Sequence, residues 1–259
     1  MADALACSID EAGVGRIRFN RPQIHNAFDS ALIESLGAAI EALGANARVR
    51  AVVIAAEGVS FCAGGDLAWM LRMGEAPEAE NLADALKLAR VLGALATLPN
   101  PTLALVQGPA YGGGVGVVAA CDIAIAAKEA RFALTEARLG IIPAVISPYV
   151  VAAIGAREAV RYALTADPFD ATEALRLGLV HEVVAAGDLE AAGARMLTAL
   201  GRNSPEAMAD AKALIRAVAG RPVDAALMQE TAQAIARARA RPEAQARIAT
   251  FLKRKAQSA

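Results

Sequence analysis

Aromatic residues, cysteine and histidine are all scarce in this sequence. Its 259 residues are 56% hydrophobic but only 4% aromatic, so a core must be built mainly from Ala, Val, Leu and Ile. Cys7, Cys62 and Cys121 lie far apart without CxxC or Cys/His spacing, and His25 and His181 have no metal-ligand spacing. We therefore expect a cytoplasmic protein with reduced thiols, no metal and no disulfide framework.

A strong net charge is also lacking. The net charge is −1 and the basic residues are scattered, which gives no footprint for a phosphate backbone, so no nucleic-acid partner is expected. The first residues lack the basic and apolar regions of a secretory signal. The longest apolar stretch, residues 101–127, is interrupted by glycines, prolines, Gln107 and Asp122, which predicts buried strand, turn and helix and no membrane span.

Strands alternate with helices along most of the chain, which indicates an α/β architecture. The predicted elements are a hairpin over 8–20, a helix capped by Asp29 and running to about 43, a strand at 51–56, a helix at 81–98, a strand at 102–106, a helix at 115–120 and a strand at 122–126. The last quarter is predicted to be almost all helix, at 189–201, 205–219, 223–240 and 242–255.

Two glycine-rich turns carry the first chemical signal. FCAGGDL (61–67) follows a buried strand, and adjacent glycines let a ligand approach the backbone. GGG (112–114) opens a helix, where free N–H groups and the helix dipole favour developing negative charge. Either turn alone is more often tight packing than a site. A Rossmann site is discounted because GGGVG is not GxGxxG.

Together with TEARLGIIPA (135–144), these turns resemble the sequence blocks of the crotonase (enoyl-CoA hydratase/isomerase) superfamily, in order and spacing. The resemblance extends from RPQIHNAFD to LTADPFDATEALRLGLV and more loosely to the C-terminus. It implies an α/β fold with a spiral core of ββα units in residues 1–200. It also implies a C-terminal helical region, 201–259, that drives formation of a homotrimer or a dimer of trimers.

The resemblance also implies roles for individual residues. Gly65 and Gly113 would donate backbone N–H groups to the oxygen of an acyl-CoA thioester, and Glu136 would exchange a proton with its α-carbon. From composition alone, a surface carboxylate at a helix start is the more common role for such a glutamate. No cofactor is implied, since coenzyme A is part of the substrate. The residues implied to bind substrate and CoA are Gln23, Ile24, His25, Ala27, Ala63, Gly64, Asp66, Leu67, Lys253 and Lys255.

Some of these residues have plainer interpretations. Lys253 and Lys255 fit an ordinary solvated helix end, and Asp66 fits a helix N-cap. Trp69 and Met70 follow the first glycine turn and suit either the wall of an acyl pocket or a core. Tyr111, Ser147 and Tyr149 are weaker candidates for contact with substrate or water.

One position departs from the hydratase pattern. Typical hydratases carry a second glutamate two residues after the triple glycine, where this chain has Gly116. Three interpretations stay open: a hydratase in which Glu136 works alone or with help from the substrate, a Δ3,Δ2-enoyl-CoA isomerase with Glu136 as sole base, and a non-catalytic acyl-CoA-binding protein. A finer similarity to bacterial methylglutaconyl-CoA hydratase-like members, which act in leucine degradation, favours the hydratase. It suggests 3-methylglutaconyl-CoA or a related branched, carboxylated enoyl-CoA as substrate.

Overall fold

The computed structural model describes residues 4–257, which separate after Gly201 into an α/β unit and a helical unit. The strands are β1 (Leu5–Ile9), β2 (Val14–Phe19), β3 (Ala51–Ala56), β4 (Thr102–Val106), β5 (Ala110–Tyr111), β6 (Ile123–Ala127), β7 (Arg131–Ala133), β8 (Phe169–Asp170) and β9 (Glu182–Val184). The helices of the α/β unit are α1 (Ser30–Ala45), α2 (Leu67–Glu75), α3 (Glu78–Thr97), α4 (Gly113–Ala120), α5 (Ser147–Thr165), α6 (Ala171–Leu177) and α7 (Leu189–Gly201). The helical unit contains α8 (Pro205–Val218), α9 (Ala225–Ala240) and α10 (Pro242–Gln257).

Six strands form the main sheet, in the order β1-β2-β3-β4-β6-β9. The β1–β2 hairpin is antiparallel, as predicted, and the other neighbours are parallel. All six residues of β3 are buried, which is why its sequence is a continuous apolar run without alternation.

A second row of paired segments lies beside the main sheet. It contains the three-stranded sheet β5-β7-β8 and two isolated parallel bridges, Phe28 with Gly65 and Cys62 with Ala110. Each of β2, β3, β4 and β6 is followed by one short segment that pairs within this second row, and the next helix comes after that segment. This repetition is the predicted α/β fold with a ββα spiral core. It places the ends of successive ββα units side by side.

Helix α1 shows why the predicted elements form. The Asp29 carboxylate caps it by accepting a hydrogen bond from the Leu32 N–H at 2.9 Å. Its apolar residues recur every three or four positions and are buried: Leu32, Ile33, Leu36, Ile40 and Leu43. Burial of each such side chain stabilises the fold by about 1.5–3 kcal/mol, so packing outweighs intrinsic helix propensity.

Helices α5 and α6 were not predicted, and two further helices near the site differ from the prediction. Helix α3 begins at Glu78, three residues before the predicted start, because Pro77 precedes it and Glu78 and Glu80 suit a helix N-terminus. Helix α2 was not predicted. It is only nine residues long and none of them is fully buried, although Trp69 packs against the core.

The C-terminal helices were predicted in number, order and approximate bounds. Ser204 caps α8 and Asp224 caps α9, each accepting from the N–H three residues later. The predicted role of this region in trimer formation stays a prediction. Within residues 4–257, no helix is long and apolar enough to cross a membrane.

Candidate active site

A cavity of about 380 Å³ opens in the α/β unit. Its walls come from α2, α3 and the segment 141–146, and they are mostly apolar. Gly65, Gly113 and Glu136, the three residues with predicted catalytic roles, all line it. The structure therefore brings together residues that are up to 71 positions apart in the sequence.

The Gly65 N–H is left outside the backbone pairing that holds its loop. The Phe28 N–H donates to the Gly64 carbonyl at 2.7 Å, and the Asp66 N–H donates to the Phe28 carbonyl at 2.7 Å. Gly65 lies between Gly64 and Asp66, and in such a parallel bridge its own N–H points away from Phe28. The loop is thus fixed on both sides of Gly65 while the Gly65 donor remains available for a ligand.

Gly113 is the first residue of α4, so its N–H has no partner within the helix. Gly112 precedes it with a φ of +47° and reverses the chain at this point. A Cβ atom on Gly113 would lie 2.9 Å from Cδ2 of the Phe28 ring, so a side chain does not fit there. Phe28 therefore contacts both glycine turns, through its backbone at Gly65 and its ring at Gly113.

Glu136 begins a short 3-10 turn, Glu136–Leu139, directly after β7 and Leu134–Thr135. Its Oε2 atom is buried and has no hydrogen-bond partner among the described residues. Burial raises the pKa of the Glu136 carboxyl above its ordinary value. A carboxyl with a raised pKa and a free oxygen in a cavity is suited to proton transfer.

Ile146 fills the space where the second hydratase glutamate would begin. A Cβ atom on Gly116 would lie 2.2 Å from Ile146 Cγ2 and 2.8 Å from Ile146 Cβ. No real Cβ contact is that short, so a side chain at position 116 requires Ile146 to move. An apolar side chain thus stands beside the position that carries a carboxylate in typical hydratases.

The turn before Phe28 is held by Arg21 and Asn26. The Arg21 guanidinium pairs with the Asp29 carboxylate at 2.6 Å and also donates to the Ala27 carbonyl. Asn26 is fully buried; it accepts from the Arg21 N–H at 2.8 Å and donates to the carbonyls of Glu57 and Ser60. Burial alone would raise the Asp29 pKa, but the hydrogen bond and charge of Arg21 lower it below its ordinary value.

The predicted CoA-binding residues of the α/β unit lie along this turn and the first glycine loop. The two segments are joined by a hydrogen bond from the Ala63 N–H to the His25 carbonyl at 2.9 Å. Gln23, Ile24 and His25 are exposed, Leu67 is 64% exposed, and Ala27 and Gly64 are buried. Asp66 caps α2 by accepting from the Trp69 N–H, which agrees with its plainer interpretation as an N-cap.

Lys253 and Lys255 lie on α10 in the helical unit, and their contact with CoA phosphates stays a prediction. Trp69 and Met70 line the cavity, and Trp69 also packs against the core, so it has both of the interpreted roles. Tyr111, Ser147 and Tyr149 are not among the described residues that line it.

Several residues near the cavity were not predicted, namely Arg21, Asn26, Ser30 and Asp84. Asp84 had a recognisable signal. It shares the helical spacing of the apolar residues Leu88, Val91 and Leu92, which places a carboxylate on the buried face of α3. It is only 7% exposed and lines the cavity. Ser30 and Arg21 had no comparable signal, because their partners are distant or irregular segments.

The remaining chemically reactive side chains take structural positions. Cys7, Cys62 and Cys121 form no disulfide bond, and burial raises the pKa of Cys62 to about 12, so its thiol stays protonated. His25 Nδ1 lies 3.0 Å from Ser60 Oγ, and His181 Nδ1 accepts from the Ala124 N–H at 3.1 Å. Across residues 4–257, no group of three or more His, Cys, Asp and Glu side chains is placed to hold a metal ion.

Comparison with known proteins agrees with this geometry. The family model described as enoyl-CoA hydratase/isomerase matches residues 10–257. The crystal structure of an enoyl-CoA hydratase from Shewanella pealeana is 40% identical, with a TM-score of 0.94 over 97% of this chain and 94% of that chain. The enoyl-CoA hydratase AFT6-1 of Alternaria alternata is 32% identical over 209 residues, 80% of this chain and 68% of that protein.

A relative with a different named activity is also similar. The 4-chlorobenzoyl coenzyme A dehalogenase-2 of an Arthrobacter species is 36% identical over 181 residues, 69% of this chain and 65% of that protein. The fold, the two glycine turns and these comparisons define the class: the chain belongs to the enoyl-CoA hydratase/isomerase family, in the crotonase superfamily. These relatives are named for different reactions, so membership of the family does not by itself specify the reaction of this protein.

Proposed function

We propose that this protein is an enoyl-CoA hydratase that adds water to a 2-enoyl-CoA thioester. One observation carries the proposal. Gly65 and Gly113 each direct a backbone N–H that has no partner among the described residues to the same cavity as the Glu136 carboxyl, whose buried Oε2 atom also has none. A thioester enolate needs these parts: donors for the oxygen and an acid/base for carbon.

The two N–H groups supply electrostatic stabilisation. In the proposed complex, the thioester oxygen accepts from Gly65 and Gly113, and negative charge develops on it as the enolate forms. One such donor is typically worth about 3 kcal/mol of transition-state stabilisation. The Gly113 donor also stands at the N-terminus of α4, where the helix dipole favours negative charge.

Glu136 supplies the proton transfer. In hydration, one proton leaves the attacking water and one reaches the α-carbon, so a single carboxyl can accept the first and deliver the second. The raised pKa lets Glu136 exchange protons near neutral pH more readily than an exposed glutamate.

The water itself needs a second partner, and Ile146 provides none beside Gly116. A carboxylate on the substrate could take that role, which makes 3-methylglutaconyl-CoA, or a related branched and carboxylated enoyl-CoA, the candidate substrate. The charges of the cavity do not favour a carboxylated acyl group. The described residues that line it include the carboxylates of Glu136 and Asp84 but no lysine or arginine. Crotonyl-CoA, whose acyl group carries no charge, must therefore be tested beside it.

The same observation favours a second candidate, a Δ3,Δ2-enoyl-CoA isomerase. With Ile146 beside the second position, Glu136 alone can move a proton between the α and γ carbons without adding water. The difference between the two candidates lies in the fate of water, which is directly measurable.

The test is an incubation of the protein with 3-methylglutaconyl-CoA, crotonyl-CoA and a 3-enoyl-CoA, with products identified by mass. A product heavier by one water supports the hydratase, and conversion of the 3-enoyl ester without water gain supports the isomerase. Glu136→Gln must abolish either reaction while CoA-ester binding remains. Bound esters whose α-protons do not exchange in heavy water would instead identify a binding protein.

The partners and assembly follow as further parts of this proposal. The acyl-CoA substrate would place its CoA along the 23–27 turn and the 63–67 loop, with Lys253 and Lys255 contributing charge to the phosphates. A homotrimer or a dimer of trimers, assembled through the helical region, would be cytoplasmic. Light scattering of the purified protein distinguishes the two assemblies.

A further inference from the structure

One serine hydroxyl joins three helices at the wall of the cavity. Ser30 is the first residue of α1, Trp69 lies on α2 and Asp84 lies on α3. The Trp69 indole Nε1 lies 3.0 Å from Ser30 Oγ, and Ser30 Oγ lies 2.7 Å from Asp84 Oδ1. Trp69 and Asp84 both line the cavity.

The direction of these hydrogen bonds follows from the groups themselves. An indole N–H can only donate, so Ser30 Oγ accepts from Trp69. The single hydroxyl proton of Ser30 is then free to donate to Asp84, which is 7% exposed and therefore needs such a donor. The chain runs from Trp69 through Ser30 to Asp84, and it fixes the indole in one orientation.

Asp84 lies too far along α3 to replace the missing second glutamate. Leu92 is the α3 residue beside Gly116, 3.5 Å from a Cβ atom placed there. Asp84 precedes Leu92 by eight residues, which is about 12 Å along a helix. The polar chain therefore acts at a part of the cavity remote from Gly116, on the wall that meets the acyl group.

We propose that Ser30 is a positioning residue that, with Asp84, fixes the Trp69 indole as the wall limiting the size of the acyl group. The inference rests on the proposed function, since it assigns the substrate specificity of the same site. Loss of the Ser30 hydroxyl frees the indole to turn away, and the cavity then accepts bulkier acyl chains.

The experiment uses binding, so it does not depend on turnover. Trp69 is the single tryptophan of the chain, and its emission reports directly on the indole environment. The dissociation constants of butyryl-CoA and decanoyl-CoA are measured by calorimetry for the full-length protein and its variants. For Ser30→Ala we expect a shift in Trp69 emission. We also expect the binding of decanoyl-CoA relative to butyryl-CoA to strengthen about fivefold.

Matched variants separate positioning from folding. Ser35→Ala removes a serine hydroxyl from an exposed position of α1 and should change neither emission nor ratio. Ser30→Thr keeps the hydroxyl and should restore the wild-type ratio. Trp69→Phe removes the N–H donor while retaining an aromatic ring, so it should change the ratio as Ser30→Ala does, and the double variant should add nothing.

The outcomes are distinct. If Ser30→Ala binds both esters with the wild-type ratio and unshifted emission, the proposal is overturned while the proposed function stands. If Ser30→Ala does not fold, an unchanged ratio in Trp69→Phe overturns it equally. If the wild-type protein binds neither ester, the proposed function fails, and the specificity proposal fails with it.

Discussion

The carboxylate of Glu136 lies against the backbone of Gly112. A Cβ atom on Gly112 would lie 2.9 Å from Glu136 Oε1, and the φ of Gly112 is +47°, where side chains are disfavoured. The residue that reverses the chain before α4 therefore also makes room for the proposed acid/base.

Gly112→Ala should displace Glu136 and impair the Gly113 donor together. We expect kcat to fall by about 100-fold, since small misplacements of catalytic groups have effects of that order. Gly220→Ala is the matched control, because Gly220 has a φ of +72° but no atom within 4 Å of its added Cβ. Equal loss of activity in both variants would argue against the contact with Glu136.

Glu136→Gln should stabilise the folded protein at neutral pH. Burial raises the Glu136 pKa, so below the ordinary glutamate pKa the carboxyl is protonated in both states and the folded protein has its full stability. As the pH rises through the raised pKa, the folded chain must hold a buried charge and stability is lost. The neutral amide avoids this loss.

The measurement is urea unfolding of wild type and Glu136→Gln from pH 3.5 to pH 8. The variant should have the higher free energy of unfolding at pH 7, and the difference should disappear at the acid end. Glu129→Gln, at an exposed position, is the control and should show no such trend. A difference that grows towards low pH would contradict the assigned cause.

Gly116→Ala should destabilise the fold even though alanine is a better helix former. The added methyl group would meet Ile146 Cγ2 at 2.2 Å, and overpacking of this kind costs about 1–3 kcal/mol. Gly201→Ala, with no atom within 4 Å of its Cβ, should be neutral or slightly stabilising. Thermal unfolding compares the two, and similar melting temperatures would mean that Ile146 moves aside at little cost.

Arg21→Ala should weaken both the fold and CoA-ester binding. It leaves Asp29 Oδ2 and the Ala27 carbonyl without the Arg21 donor in a half-buried turn, at an expected cost of about 2–4 kcal/mol. Since the proposed CoA contacts lie on the same turn, KM should rise more than kcat falls. Chemical unfolding and steady-state kinetics measure the two effects.

The control for Arg21 is Arg16→Ala. Arg16 pairs with Glu190 at 3.7 Å, and the Glu190 side chain is 60% exposed, so its loss should cost less than about 1 kcal/mol. Comparable destabilisation by the two arginine variants would show that the turn does not depend on its internal ion pair.

Local patterns predicted much of the fold. The bounds of β3 and β4 and the cap of α1 were predicted correctly, because each depends on a continuous apolar run or on a capping residue next to a helix. Helix α2 was missed, since it is short, none of its residues is fully buried and several of them line the cavity. The sequence blocks also led to Gly65, Gly113 and Glu136, which the fold brings to one cavity.

The contacts that shape the cavity could not be predicted in this way. Ser30 is 54 residues from Asp84 and 39 from Trp69, and Gly116 meets a side chain 30 positions later. Such contacts depend on how distant segments pack, which neither hydrophobic periodicity nor turn chemistry contains. They determine the shape of the cavity, which is why the acyl group was the least predictable part of the function.

The contact between Gly116 and Ile146 also limits how this protein can evolve. A glutamate at position 116 is blocked while Ile146 stays, and loss of Ile146 alone would leave an unfilled space beside α4. A path to the two-carboxylate arrangement thus needs at least two changes, of which either taken first is harmful. No single mutation therefore places a glutamate at position 116 without cost, so new activities are more accessible through changes in the walls of the cavity.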